Sequence, residues 1–432
     1  MRRGARHWLT PGFWCLLLSL LAPNLAAQGG KVLTLEQALQ AADAAHPEVQ
    51  IAEAEREMAL ADQAAVGARR DLSVTAEGRL QRVKPANPGA DYVSDNSVRL
   101  AARKNLFDFG RAYNAEGAAR ALVEARDLNL IDTRDQRRID IMARYFDVLI
   151  ADHQFIADNE YMAAAYVTFD HARERLNQKL ISRVDLAELD ARYQAWLIKR
   201  NDSQKRQRIT RALLALAMNQ PGQLVSELED PRLPGNNPPL PDYEALLPLL
   251  ENNPKLKASR QSLEASRQRM DANRAETNPS LDAELEANDY GNRKLPGRDA
   301  VRAGVVLSWP FYQGSRVSAQ LAREQAQFHK LQAEAEKLKR DLQQMLLSAW
   351  MDAEQLQKTT RNATRIQADY RDLMLERARG QYEMELKTTL GDTMAATAEA
   401  KLHQRAVEYQ LALALAKLEA LLGQPLPQLA KK

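Results

Sequence analysis

The sequence predicts a duplicated, mainly α-helical chain with two β-hairpins, and three observations carry this prediction. Residues 46–47 (His-Pro) return 207 positions later as 253–254 (Asn-Pro), and Leu106–Gly110 is echoed 204 positions later by Pro310–Gly314. Residues 118–220 contain neither glycine nor proline, the residues that commonly end helices. Each half also contains a region in which apolar and polar side chains alternate. A long period that occurs twice indicates duplication of a whole architecture rather than a solenoid of short units.

The duplication divides the chain into a leader and two repeats, at 1–27, 28–232 and 233–432. Each repeat is expected to contain two strands followed by a helical hairpin. In the first repeat the strands are predicted at about 72–84 and 97–107, and the hairpin at about 110–219. In the second repeat the strands are predicted at about 281–289 and 300–311, and the hairpin at about 314–423.

The leader has the pattern of an export signal. Arg2, Arg3 and Arg6 precede an apolar run at 13–21, and residues 25–27 (Leu-Ala-Ala) offer small side chains for cleavage. An uncleaved membrane anchor is the alternative, but a run this short falls below the ~20 residues that span a bilayer. We therefore expect a signal peptide that is removed.

Composition outside the leader is balanced in charge. The whole chain has 60 Lys+Arg and 57 Asp+Glu, and three of the basic residues lie in the leader. The balance gives no electrostatic case for nucleic-acid binding, so none is expected. The only cysteine, Cys15, also lies in the leader, and a cysteine-free remainder tolerates an oxidising compartment.

The long helices follow from apolar residues spaced three and four apart, as at Ile139, Met142 and Phe146. In the second repeat, Gly380 and Gly391 are expected to bracket the reversal of the hairpin. In the first repeat, where glycine is absent, residues 181–183 are expected to turn the chain. A helix of this length needs neighbours along its whole side. Shorter helices at 48–71 and 255–278, each just after a proline, are expected to share that role with the returning helices.

The strand regions alternate with one face free of polar side chains. Residues 72–80 place Leu, Val, Ala, Gly and Leu on one face, and 281–287 place Leu, Ala, Leu and Ala there. Apolar-out, polar-in strands of about ten residues are typical of membrane barrels, whereas a soluble hairpin packed on a helical core is the alternative. Five aromatic residues beside the strand ends are candidates for a membrane-interface girdle, with core packing as the alternative: Phe107, Phe109, Trp309, Phe311 and Tyr312.

Motifs for chemistry are absent from the sequence. The six histidines are scattered without metal-ligand spacing, and no glycine-rich loop could cradle a phosphate. Carboxylate pairs such as Glu334 and Glu336 lie in charge-rich helix, where a solvated face is the simplest interpretation. We therefore predict no enzyme, no cofactor and no metal site.

An ordered and duplicated set of motifs resembles the TolC-like outer-membrane efflux protein family, the outer membrane factors, over essentially the whole chain after the leader. The matching segments are Leu33–Leu39 with Pro47, Leu106–Arg111, Trp309–Gly314 and Leu418–Gly423. The resemblance implies a homotrimer in outer-membrane lipid. Its twelve strands, four from each protomer, would close a transmembrane β-barrel, and the helical hairpins would continue it as a periplasmic α-barrel.

The resemblance also implies a passive exit duct that docks with a periplasmic adaptor protein and an inner-membrane transporter of pump or ABC type. Small-molecule efflux and type I protein secretion use this architecture equally, so the cargo stays open. A soluble periplasmic coiled-coil adaptor or scaffold is the alternative from another class. An adaptor should carry an appended β-rich lipoyl-like region, which the sequence does not show.

The helix-hairpin tips depart from the family, because the glycine expected in an adaptor-docking turn is absent from both. The docking candidates are therefore the tip residues themselves: Lys179, Leu180, Ile181, Arg183, Glu383, Met384, Glu385 and Leu386. Asp185 and Asp392 are candidates for acidic residues that narrow the channel entrance. Each could instead cap the first turn of a returning helix, where a carboxylate meets unpaired N–H groups.

Overall fold

The computed structural model describes residues 32–41, 46–84, 86, 88–89, 91–223, 227–291, 299–384 and 390–427. The predicted signal peptide lies outside the described residues, and so do two docking candidates of the second tip, Glu385 and Leu386.

Both repeats contain the expected succession of short helix, strands and long helices. The first has α1 (Leu35–Gln40), α2 (Pro47–Gly67), β1 (Ser73–Arg79), β2 (Arg82–Val83), β3 (Val93–Ser94), β4 (Ser97–Phe107), α3 (Arg111–Asn177) and α4 (Arg183–Ala217). The second has α5 (Tyr243–Leu246), α6 (Pro254–Arg274), β5 (Ser280–Tyr290), β6 (Val301–Ser308), α7 (Arg316–Gln355), α8 (Arg361–Glu383) and α9 (Leu390–Leu422). The predicted class, a duplicated and mainly helical fold with four long strands, is confirmed.

Helix α3 is the element around which the others pack. It has 67 residues and, at ~1.5 Å per residue, is about 100 Å long. It contacts α2, α4, α6 and α9. Glu55 of α2 accepts a hydrogen bond from Arg126 near the start of α3, and Tyr193 of α4 stacks on Phe169 near its end. Short helices therefore cover α3 in succession along its side, as its length requires.

A buried cluster ties both repeats to the segment that precedes α1 and to the inter-repeat linker. The hydroxyl of Tyr145 donates to the backbone carbonyls of Leu33 (2.9 Å) and Glu229 (2.5 Å). Phe146, the next residue of α3, stacks on Tyr409 of α9 with ring centroids 4.9 Å apart. These side chains are almost completely buried. The aromatic pair joins the two repeats while Tyr145 holds both connecting segments against them.

The two short helices α2 and α6 begin in the same way. Each has proline at its first position, where a missing N–H costs nothing. The residue before each proline caps the helix: Glu48 N donates to Nδ1 of His46 (3.3 Å), and Leu256 N donates to Oδ1 of Asn253 (3.0 Å). The repeats therefore use a titratable cap in one place and a non-titratable cap in the other.

Two boundaries predicted from the sequence are wrong. The first strand does not run to residue 84, because β1 ends at Arg79 and residues 82–83 pair with 93–94 in a separate small sheet. Gln81 directs this change: its carbonyl accepts from Asp95 N (2.8 Å) and its side chain donates to the Asp95 carboxylate (2.9 Å). At the other hairpin, the last strand ends at Ser308 rather than 311.

Gly380 and Gly391 bracket the reversal of the second hairpin, as the sequence predicts. Helix α8 ends at Glu383 and α9 begins at Leu390, so both facing ends lie between the two glycines. Gly391 also allows a close approach between helices, since a Cβ on it would lie 3.1 Å from Cβ of Ala164 in α3. A glycine selected for close packing and a glycine selected for a turn look alike in a sequence.

The long helix of the second repeat is also interrupted, although its sequence contains no helix breaker. A π-helical segment, Leu356–Thr360, joins α7 to α8. Its Gln357 side chain donates to the carbonyl of Pro238 (2.7 Å) and accepts from Leu240 N (3.2 Å). The wider turn coincides with this anchorage of the inter-repeat linker, and π-bulges often mark such specialised positions.

The His46 cap predicts a dependence of stability on pH. Burial and then the neighbouring Arg137 guanidinium lower the pKa of His46 below its ordinary value. A lowered pKa means that the group contributes stability above pH ~6.5 and that this contribution is lost as the pH falls through the folded-state pKa. We expect His46→Asn, which installs the cap of the second repeat, to lose less melting temperature than the wild type between pH 8 and pH 5. Equal losses would contradict a role for His46 in acid sensitivity.

Candidate functional site

The four long strands form one antiparallel sheet in the order β1-β4-β5-β6. The central pairing, β4 with β5, joins the two repeats. The strand registers align apolar residues in rows across the sheet: Val74 is opposite Ala102, Ala102 is opposite Leu285, and Leu285 is opposite Ala303. Because side chains alternate between faces, these rows place the two predicted faces on opposite sides of the whole sheet.

One face of the sheet is apolar and open to its surroundings. Leu285, at its centre, is 52% exposed. Other exposed apolar residues of this face are Val74, Val98, Leu100, Val301, Val305 and Leu307. Lys104 of β4 lies in the same alternation, near the helical end of the strand. A contiguous apolar surface of this kind indicates contact with another apolar phase or protein.

The other face carries the charged residues, and two of its acidic groups, Asp282 and Glu286, are buried. Asp282 is 5% exposed, and its carboxylate accepts from Arg103 Nη2 (2.8 Å) and from Asn105 Nδ2 (2.9 Å). Arg99 forms a salt bridge with Glu286, which is also buried. All these contacts cross the β4–β5 pairing. Buried carboxylates normally require paired charges and hydrogen bonds, and each of these has them.

The sheet therefore differs from one in a soluble core: its apolar face is uncovered, and the charges of its other face are paired across β4 and β5. A hairpin packed on a helical core would bury the apolar face, so the soluble-core alternative is wrong for this sheet. None of the described helices is both long and apolar enough to span a membrane.

Both strand-to-helix junctions are sharp turns rich in aromatic residues. Phe109 and Gly110 have φ values of +54° and +90°, and Gly314 in the second repeat has +63°. Asp108 stabilises the first turn of α3, because its Oδ2 accepts from Ala112 N (2.8 Å). Such left-handed positions suit glycine and are unusual for phenylalanine.

The five girdle candidates all lie exposed at these junctions. Phe107 and Phe109 meet edge to face with centroids 4.7 Å apart, and Trp309 and Phe311 do so at 6.2 Å. Tyr312 is exposed as well. The core-packing alternative does not describe their surroundings in this structure. Their role at a membrane interface stays a prediction.

The first tip turns where the sequence predicts. Lys179 has φ +58°, and Ser182 caps α4 with its hydroxyl accepting from Asp185 N (3.1 Å). The Asp185 carboxylate in turn accepts from Ser182 N (2.9 Å), which completes a capping box. These hydrogen bonds lower the pKa of Asp185. Capping is thus the observed local role of Asp185. Of the docking candidates here, Leu180 is exposed.

The second entrance candidate lies elsewhere. Asp392 is exposed in the first turn of α9, next to Gly391, which approaches Ala164 of α3. Burial, the hydrogen bond to Glu399 and the nearby Asp392 raise the pKa of Tyr161 to about 12. Asp185 instead begins α4, beyond the last residue of α3, Asn177. At ~1.5 Å per residue, about 15–20 Å of α3 separates the two levels, so one protomer does not bring these carboxylates together.

Comparison with known proteins finds one matching family model and several solved structures of the same fold. Residues 247–424 match the family model described as outer membrane efflux protein. None of the curated proteins compared with the chain matches it significantly.

Three solved outer-membrane proteins illustrate the likeness of fold. The chain is 17% identical to VceC of Vibrio cholerae, covering 91% of this chain and 97% of that one, with a TM-score of 0.73. It is 12% identical to the outer membrane channel CmeC of Campylobacter jejuni, covering 92% and 87%, with a TM-score of 0.75. It is 16% identical to the outer membrane channel MtrE of Neisseria gonorrhoeae, covering 92% and 91%, with a TM-score of 0.70.

The chain therefore shares the fold of these outer-membrane proteins, with its long helical hairpins and four-stranded sheet. The resemblance seen in the sequence is supported in two ways: residues 247–424 match the outer membrane efflux protein model, and about nine-tenths of the chain has the fold of these outer-membrane proteins. An outer-membrane location with a large periplasmic helical part, which the sequence resemblance implies, agrees with both findings and stays a prediction.

The two faces of one strand predict different tolerance of charge. Val74→Arg would place a cation on the apolar face and should cost about 2–4 kcal/mol at mid-bilayer depth. Thr75→Arg, one residue along and on the polar face, should be nearly neutral. Urea unfolding of both variants in lipid vesicles measures the difference. Equal destabilisation by the two variants would show that the assigned faces are wrong.

The two proposed roles of the first tip can be separated by substitution. Ser182→Ala removes the cap acceptor and keeps the charge, and should cost about 0.5–2 kcal/mol of helix stability. Asp185→Asn removes the charge and retains an acceptor for Ser182 N. If Asp185 also narrows the entrance, only Asp185→Asn should weaken block of the reconstituted channel by divalent cations. Hydrogen exchange and single-channel recording report the two effects, and unchanged block in Asp185→Asn would exclude the entrance role.

Proposed function

We propose that three copies of this chain form a passive exit duct of a tripartite export system. The four strands of each copy contribute to a closed 12-strand barrel in the outer membrane, and the helical hairpins continue it as an α-barrel through the periplasm. The two faces of the sheet carry the proposal, because charged side chains toward water and apolar side chains toward lipid suit such a barrel wall.

Open edges of the sheet support a ring. Strands β1 and β6 lie at the two edges of the order β1-β4-β5-β6. An unpaired edge leaves backbone N–H and C=O groups unsatisfied, which is not tolerated where lipid surrounds the strand. Pairing β6 of one copy with β1 of the next satisfies both edges, and three copies use all of them.

The helical layers leave the same two flanks open. Contacts run α2-α3-α6-α7 in one layer and α4-α3-α9-α8 in the other. First-repeat elements therefore form one flank and second-repeat elements form the other, as in the sheet. Such a head-to-tail surface makes a ring when its rotation closes.

Exposed apolar side chains mark both helical flanks. Helix α8 presents Ile366, Tyr370 and Leu373 at helical spacing, and α4 presents Ile198 and Ile209. Exposure at these positions is costly in an isolated copy. Burial of α8 against α4 of the neighbouring copy would remove both surfaces from water.

The polar face of the sheet suits an unselective lumen. In each copy it carries four arginines and four acidic residues: Arg79, Arg99, Arg103, Arg302, Glu77, Asp282, Glu284 and Glu286. A wall with balanced charge gives little preference for the sign of a solute. This supports a duct whose cargo is chosen elsewhere.

The partners that the family resemblance implies are a periplasmic adaptor and an inner-membrane transporter of pump or ABC type. The hairpin tips are the proposed docking surface, where Leu180 and Met384 offer exposed apolar side chains beside Lys179, Arg183 and Glu383. Small molecules or a secreted protein would then be handed to the duct by the transporter. The soluble adaptor or scaffold is disfavoured, because its apolar sheet face would remain in water.

Membrane fractionation and planar-bilayer recording test the proposal together. The protein should partition with outer membranes, run as a trimer in mild detergent by native mass spectrometry, and conduct with weak ion selectivity. Recovery from the periplasm without detergent, as a monomer that does not conduct, would overturn it. Leu180→Asp tests docking separately, since it should leave conductance intact and reduce co-purification of an adaptor expressed with it.

A further inference from the structure

The internal repeat relates the strands of the sheet residue by residue. Helices α2 and α6 begin at Pro47 and Pro254, and strands β1 and β5 begin at Ser73 and Ser280. Both pairs are 207 residues apart. Each residue of β1 therefore has a counterpart in β5 that is 207 positions later.

The hairpin registers give the spacing for the other two strands. Ser73 is opposite Arg103 in the first hairpin, and its counterpart Ser280 is opposite Ser308 in the second. Arg103 and Ser308 are 205 residues apart, so residues of β4 have counterparts in β6 at that spacing. An odd spacing agrees with the faces, because outward residues of β4 are even-numbered and those of β6 are odd-numbered.

We propose that β6 of one copy pairs with β1 of the next copy in the register that β4 and β5 adopt inside one copy. The proposal rests on the trimeric ring proposed above and specifies its strand contact. Inside a copy, Ala102 is opposite Leu285. Moving both residues by their repeat spacing makes Leu307 of one copy the partner of Gly78 of the neighbouring copy.

Side chains brought together by this register match in face and in size. Leu307 lies over Gly78 and Trp309 over Ala76, so each large exposed side chain meets a small one. The space around the Cβ position of Gly78 is open in one copy. Exposed Leu80, which β1 does not include, falls on the same outward face. Cross-strand pairs of this kind are the unit from which sheets gain stability.

Helices follow the same equivalence between the inner and the outer interface. Just after α4 and α9 the chain turns at Asn219 and Gly423, with φ values of +57° and +62°, and these matching turns set the spacing of the two helices at 204 residues. Leu402 of α9 is 5% exposed, two turns from Tyr409, which stacks on α3. Its counterpart in α4, Ile198, is 64% exposed. The position that α9 buries within a copy is thus the one that α4 presents to a neighbour.

Disulfide cross-linking tests the register directly. The variant carries Gly78→Cys and Leu307→Cys in a Cys15→Ser background, which removes the only native cysteine. Directly opposite residues have Cα atoms about 4.5–5.5 Å apart, within the range of a disulfide. We expect covalent trimers on a non-reducing denaturing gel, converted to monomers by reductant. If the first variant folds poorly, a second one replaces it: Glu77→Cys with Ser308→Cys, on the inner face, should also give covalent trimers.

A matched control shifts the register by two residues. Gly78→Cys with Val305→Cys separates the cysteines by about 7 Å along the strand and should stay monomeric on the same gel. Two results would overturn the register and leave the proposed duct intact. One is cross-linking of this control pair. The other is failure of both proposed pairs to cross-link in a protein that native mass spectrometry shows to be trimeric. A wild-type protein that is not trimeric would overturn the proposed function itself.

Discussion

The pairing of β4 with β5 decides where every other element of the protein can lie. It is the one strand contact between the repeats in the described sheet, and it carries the buried carboxylates of Asp282 and Glu286 opposite Arg103 and Arg99. A slip of one residue would turn every side chain of a strand to the other face. Such a slip would separate these charges and leave buried carboxylates unpaired, which is far more costly than the paired arrangement is stabilising. The ion pairs therefore specify the register more than they add stability.

The helical layers follow from that pairing, because β4 and β6 run in the same direction, so that α3 and α7 leave the sheet at the same end. Their two hairpins are then held together differently. In the first, Tyr161 stacks on Trp196 at 4.3 Å, and Tyr193 stacks on Phe169. In the second, the π-helical segment and Gln357 tie the hairpin to the inter-repeat linker. The two repeats therefore share an order of elements but differ in the contacts that hold each helical hairpin in place.

Much of the fold was predictable from the sequence, because several of its features depend only on residues close together in the chain. The period-two pattern of 72–80 and 281–287 identified both hairpins and both faces, since it reports directly which side chains share a side. The turn at 181–183 was predictable from the capping residue Ser182. The ends of β1, the role of Gly391 and the π-helical segment were not. Each depends on a residue distant in the chain: Asp95 for the strand end, Ala164 for the glycine, and the linker carbonyls for the π segment. The position of Asp392 along α3, relative to Asp185, likewise depends on a contact between distant residues, that of Gly391 with Ala164.

By itself, the sequence determined that the chain is duplicated, that its long segments are helices without breakers, and that each strand has one apolar and one polar face. These are local properties, set by side-chain spacing along a single element. Only the tertiary structure decided the strand order, the two edges left open, and that the described residues of one copy leave the apolar face uncovered. Strand order depends on non-local pairing, and exposure depends on what covers an element, so neither is encoded in the period of one segment. The contrast between an uncovered apolar face and a polar face whose carboxylates are paired with arginines appears only once β4 and β5 have met.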